Sequence, residues 1–216
     1  GNVSDFRVMG GRHTGTGTTD QSPLVQGAGN TNHVTIADME SDATYALINL
    51  MGTSGYFGVF DNYVHDLGLL GPSLGAAGIF MIQATGLAII GNKIDNIATS
   101  HCTRIGGADG GVISNNQFSR PHLAANHCLT LRGFTPTPGT VFGGAWCQNV
   151  VISDNIILSE MATGYMLHIA PQNNGYAERH GDIIVERNYL VSTSASTLFT
   201  EVIGTCTIRN NLFETD

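Results

Sequence analysis

Arg104, Arg132 and His168 each stand in a short apolar segment, within Thr103-Arg104-Ile105, Leu131-Arg132 and Leu167-His168-Ile169. Two guanidiniums held one or two strand separations apart can clamp a carboxylate, and an imidazole beside them takes and returns protons near neutrality. That inventory suits β-elimination of a uronate. The carboxylate is neutralised so that the adjacent carbon acid ionises, the proton is removed, and the enolate-like intermediate is stabilised. His168 is the expected base, because an arginine keeps its proton in a protein. The plainer assignment is a sheet-surface role, with His168 paired to Glu201 or a loop and the arginines solvated or salt-bridged.

These three residues can meet only if the chain brings distant segments into register, and a repeat does so. Asn62, Asn92, Asn116, Asn155, Asn188 and Asn211 each follow an apolar residue three positions earlier, in turn Val59, Ile89, Ile113, Ile152, Val185 and Ile208. Each precedes another by two positions, Val64, Ile94, Phe118, Ile157, Leu190 and Phe213. Successive asparagines lie 30, 24, 39, 33 and 23 residues apart, so the coil is set by the shortest intervals and the longer ones carry loops. An apolar-x-apolar strand, an asparagine and another apolar residue at a fixed minimum interval predicts a solenoid of β coils. Each strand then pairs in parallel with its copy one coil away, about 4.8 Å along the axis. Asparagine suits the turn because it tolerates the left-handed backbone, and stacked amides can bond to one another. In the first coils the asparagine position is blurred, with Asp38 and Met39 both candidates.

This pattern resembles the right-handed parallel β-helix repeat of the pectate-lyase-like superfamily, over at least residues 57 to 216. The resemblance implies an all-β fold, a right-handed parallel β-helix of about seven to eight coils as one domain over residues 1–216. It is weak for activity, since the family includes lyases, hydrolases, epimerases and phage tailspikes. Lyases of this fold are associated with Arg, Lys, His or Tyr in the roles given above, often with Ca²⁺. Its glycosidases carry paired aspartates on consecutive coils, which this sequence lacks, and hydrolysis needs two such carboxylates. Elimination therefore ranks above hydrolysis.

Each coil also carries a second strand upstream of the motif. If Ile82, Ile105, Leu131, Ile169 and Val202 point inward, then alternation turns Met81, Arg104, Thr130, His168 and Glu201 outward in one column, with Arg132 on the same face. His101 and His127 read as core or turn histidines. Insertions flank these strands and are expected to wall a trough, with Phe134, Phe142, Trp146 and Tyr176 able to stack on sugar rings. Glu201, Trp146 and Tyr176 are the expected substrate-binding residues. Residues 10 to 29 read as a Gly/Thr-rich loop.

Composition narrows the partners. The net charge of -8 and the lack of a basic stripe argue against nucleic acid, and no apolar run is long enough to span a membrane. A polysaccharide is the expected partner, bound locally because screening limits long-range attraction. No metal motif is present; Ca²⁺ through Asp109, Glu178, Asp182 or Glu201 is a possible cofactor. Four cysteines are too few for a disulfide scaffold, and Cys102 and Cys128 fall in matching strands, where stacked free thiols are favoured over a disulfide. Gly1-Asn2-Val3-Ser4 is not a signal peptide, so an extracellular or cell-surface protein is expected here without its leader. A repeat begins and ends almost at the termini, so the chain is expected to be part of a longer protein or to stack end to end on a neighbour. Beside the lyase stand two other readings, a non-catalytic glycan-binding or tailspike-like module and a structural solenoid.

Overall fold

The structure, a computed structural model, describes residues 3–15, 23–28, 31–42, 46–51, 55–67, 77–97, 100–121, 127–132, 146–160, 164–170, 180–193, 198–200 and 204–215. Twenty strands run through them, every pairing is parallel, and the chain winds as a right-handed parallel β-helix. The first sheet takes Val25–Ala28, Ile48–Met51, Ile79–Ala84, the start of Thr103–Ser114, Leu129–Arg132, Leu167–Ala170 and Leu198–Thr200. The second takes the starts of Val3–Thr14 and Thr31–Asp42, then Phe57–Phe60, Leu87–Ile90, the end of Thr103–Ser114, Cys147–Ser153, Gly181–Glu186 and Cys206–Arg209. The third takes the ends of the first two of those strands, then Tyr63–Leu67, Lys93–Ile97, Gln117–Pro121, Ile156–Ser159, Tyr189–Ser192 and Leu212–Thr215.

Period-two alternation sends one set of side chains into the coil. Val59, Ile89, Ile113, Ile152 and Val185 stack in one inward column and Val64, Ile94, Phe118, Ile157 and Leu190 in another, all at most 1% exposed. Burying each such side chain contributes about 1.5–3 kcal/mol, so the repeated columns drive the winding. On the last coil Ile208 and Phe213 are 43% exposed.

The asparagines stack as the repeat requires. From Asn92 to Asn211 each Oδ1 accepts from the backbone N–H and the side-chain amide of the asparagine one coil earlier, as Asn116 does from Asn92 at 2.9 and 3.0 Å. Each Nδ2 also donates to a carbonyl of the preceding coil, Asn116 to Ile89 at 2.8 Å. The blurred first position is Met39, whose N–H donates to Asn62 Oδ1 at 3.0 Å. One expectation is corrected. The left-handed residue is not the ladder asparagine but the one before it, in turn Asp38, Asp61, Gly91, Asn115, Asp154, Arg187 and Asn210. That positive φ turns the chain through the corner and aims the asparagine inward, where only its amide can satisfy the buried donors. At Gly91 (φ +75°) a Cβ would lie 2.0 Å from Asp61 Oδ1. The expected loop at residues 10 to 29 is cut at both ends, because Gly10 to Thr14 continue a strand paired with Thr31–Asp42 and Val25–Ala28 pair with Ile48–Met51.

Candidate functional site

On the first sheet the register sets Phe80, Arg104, Thr130 and His168 side by side on successive strands, and the position after His168 is Phe199. Arg132 lies two residues beyond Thr130 on its strand, opposite Ala170. Arg104, Thr130 and His168 therefore form one outward column, as the alternation implies, with Arg132 on the same face.

At both ends of that column the expected register is displaced, by one residue at the first end and by two at the second. Ile105 pairs with Met81, not Ile82, and Met81 points inward at 1% exposed. The inward pair Ile79 and Met81 continues Ile48 and Leu50, so Phe80 is the outward residue, and the Arg104 guanidinium lies 5.2 Å from its ring centroid. At the other end Ile169 pairs with Thr200, which aligns Phe199 rather than Glu201 with His168. The slip of one residue at Met81 exchanges the two faces of that strand, whereas a slip of two keeps them. Glu201 itself, with Tyr176, Phe134, Phe142 and Glu178, lies outside the described residues, as do most of the flanking insertions. Trp146 is described: it is 43% exposed, and its indole N–H donates to Gln148 Oε1 at 3.3 Å.

His168 is held from three sides. Its Nδ1 is 3.0 Å from Thr130 Oγ1, and its ring stacks on His127 at 4.2 Å and on Tyr165 at 5.5 Å. His127 in turn stacks on His101 at 4.9 Å. These rings share a turn-forming role, since His101 Nδ1 accepts from the His127 N–H and His127 Nδ1 accepts from the Tyr165 N–H, both at 2.9 Å. Accepting at Nδ1 fixes the neutral tautomer with its proton on Nε2. His101 and His127 are thus turn histidines, as expected, but His127 also forms one wall of the His168 site. The sequence signal for this was the matched spacing of His101-Cys102, His127-Cys128 and Tyr165-Met166, which marks one corner position on three coils. Cys102 and Cys128 follow as aligned, buried free thiols that donate to the Ser119 and Leu158 carbonyls at 3.4 Å.

The electrostatics of this face are cationic. Burial, then Arg132, lowers the Arg104 guanidinium to about 10. Burial, then Arg132 and Arg104, lowers His127 to about 4; burial, then His127, Arg132 and His180, lowers His168 to about 3. Both imidazoles are therefore neutral at pH 7, and His168 is only 8% exposed. A wall of guanidiniums, hydroxyl and neutral imidazole matches a carboxylate. It does not fit Ca²⁺, which takes a shell of oxygen ligands. Of the residues weighed for calcium, Asp109 accepts from Asn149 Nδ2 at 2.9 Å, and no group of three metal-binding side chains occurs among the described residues.

No protein-family model matches the chain, and no curated protein matches it. Among solved structures, the chain is similar to the A-module of the mannuronan C-5 epimerase AlgE6 of Azotobacter vinelandii, with a TM-score of 0.56 and 13% sequence identity. The match covers 97% of this chain and 58% of that one, so this chain spans less than two thirds of its neighbour's length. At that identity the likeness establishes the β-helix and nothing finer.

Proposed function

We propose that this protein acts on a uronate-containing polysaccharide at the first-sheet wall, as a lyase that cleaves by β-elimination. The supporting observation is the single column of Arg104, Thr130 and His168 on three consecutive coils with Arg132 beside it. In this reading Arg104 and Arg132 take the substrate carboxylate and hold the charge that develops on it when the adjacent C–H ionises. His168, kept neutral, accepts that proton, with Thr130 fixing the ring through Nδ1. The electron pair left on carbon forms the new double bond, the glycosidic C–O bond one carbon away breaks, and its oxygen leaves with a proton returned by the His168 imidazolium or supplied by water.

The lowered imidazole is part of the same logic. A carboxylate docked on the arginines cancels positive potential that now disfavours the imidazolium, so the base strengthens when substrate is in place. Trp146, Tyr176 and Glu201 remain our choices for further contacts along the sugar chain. Such polymers are met outside the cell, and we take the protein to act there or at the cell surface.

A second outcome from the same carbanion is supported by the likeness to a mannuronan C-5 epimerase module. If the proton returns from the opposite face before the C–O bond breaks, the product is the epimer. Both outcomes are read in one experiment: incubation with mannuronan, alginate, pectate and glycosaminoglycans in D₂O. Growth of ultraviolet absorbance from an unsaturated uronate reports elimination, whereas deuterium at the ionised carbon without absorbance reports epimerisation. Activity should fall ~100-fold or more in His168→Gln. Neither signal on any polymer counts against both readings.

A further inference from the structure

A groove of about 520 Å³ lies on the second sheet, on a different face from His168, and crosses the first five coils. Its floor is a column of small residues: Thr35 pairs with Gly58 and Gly58 with Ala88. Four strand spacings of about 4.8 Å make it about 19 Å long, room for several sugar rings in line.

Aromatic rings lie flat in this groove because glycines make way for them. A Cβ at Gly86 would stand 2.4 Å from the Tyr56 ring, and one at Gly58 would stand 2.4 Å from the Phe60 ring. Tyr56 is 56% exposed although it is a large ring, and its other support is His33, stacked at 5.4 Å with the planes 23° apart. A ring held by neighbours on both adjoining coils and still more than half exposed is a platform for the C–H face of a pyranose. Polar groups rim it. Arg7 is the one permanent cation among the lining residues, with the Thr35 hydroxyl next along the floor and Asp5 beside His33 at 3.9 Å.

We infer that this groove is a second glycan-binding site, which takes an acidic oligosaccharide by stacking on Tyr56 with its carboxylate toward Arg7. The site needs no catalytic group and stands whether or not the first-sheet wall turns substrate over. Where both operate, holding one polymer at two faces raises its effective concentration at the wall.

The test is calorimetric titration of the His168→Ala protein with oligomers of mannuronate, guluronate and galacturonate, and with a neutral cello-oligosaccharide. Two variants in that background probe the groove: Tyr56→Ala removes the platform, and Ala88→Glu sets a carboxylate on the floor. Both side chains stand on the outer face, so a thermal melt should show the fold intact. The expected result is saturable binding of an acidic oligomer that each variant weakens ~10-fold, a difference of about 1.4 kcal/mol. No saturable binding, retention of affinity in either variant, or equal affinity for the neutral oligomer overturns the assignment. Binding that the groove variants weaken, with no turnover of any polymer by the parent protein, would remove the lyase proposal and leave this one standing.

Discussion

The asparagine corner and the arginine-histidine wall obey one geometric rule, like residue over like residue at each coil, and the rule has opposite effects in the two places. At the corner every side chain is an amide, both donor and acceptor, so stacking satisfies Asn62 to Asn188 at 1 to 2% exposure. On the first sheet the stacked groups are donors and cations, and stacking sets them against one another: besides burial, Arg132 lowers Arg104, His127 and His168. Elsewhere among the described residues opposite charges meet. On the third sheet and its corners, Arg120 meets Asp95, Arg187 meets Asp154, and Arg209 meets Glu186 across coils. Burial would raise the Asp95 carboxyl, and the hydrogen bonds from Arg120 and Ser119 outweigh it and hold it low. The corner stabilises the fold, while burial and neighbouring guanidiniums on the wall disfavour the charged form of its imidazoles.

The strongest way to break this contrast is at the corner. Asn116→Ala deletes the acceptor for Asn92 and the amide that donates to Ile89 and Asn155. It should cost about 3 kcal/mol in denaturant unfolding, because buried partners on both sides lose their bonds. A loss under 1 kcal/mol would mean the ladder is decorative.

Acid should expose the wall next. His127 and His168 hold folded pKa values of about 4 and about 3 against 6.5 unfolded. Between those values the unfolded chain binds more protons, so stability falls as pH drops below 6.5, with a limiting slope of about 1.4 kcal/mol per pH unit for each histidine. Unfolding curves between pH 6.5 and 5, above most carboxylate titration, should flatten in His127→Gln and His168→Gln relative to the parent.

Arg132→Ala sharpens the comparison with a smaller effect. Removing that charge should raise the titration midpoints of both histidines, measured by ring NMR. The smallest expected change is at Arg187, where φ is +53°. Arg187→Gly relieves left-handed strain and loses exposed ion pairs to Asp154 and Glu186, two effects that oppose each other, so the unfolding midpoint should hardly move.

How far each region could be read from the sequence follows from the same contrast. The corner is legible because one residue type recurs with apolar residues at fixed offsets, so Asn116 announces its own position. The first-sheet column is legible only where its strands carry a clear apolar alternation. Leu129 to Arg132 and Leu167 to Ile169 do, and Thr130 and His168 fall where expected. Ile79 to Ile82 contains three apolar residues besides Phe80, so either register is self-consistent in sequence, and only pairing with Ile48 and Leu50 decides it. The left-handed residue of each corner escaped because six of its seven occupants are asparagine, aspartate or glycine, but Arg187 breaks the pattern. The stacking of His127 on His168 depends on how the coil turns before Leu129, which no spacing encodes.

The most direct test of the wall is the His168 imidazole itself. Its ring resonances should be followed across pH with and without a saturating trimer of a uronic acid, in the parent and in Arg132→Ala. Docking of the carboxylate predicts a clear rise of the midpoint from about 3 in the parent, and a much smaller rise in Arg132→Ala. A midpoint that stays put in the presence of every uronate trimer would contradict the assignment of this wall to a carboxylate.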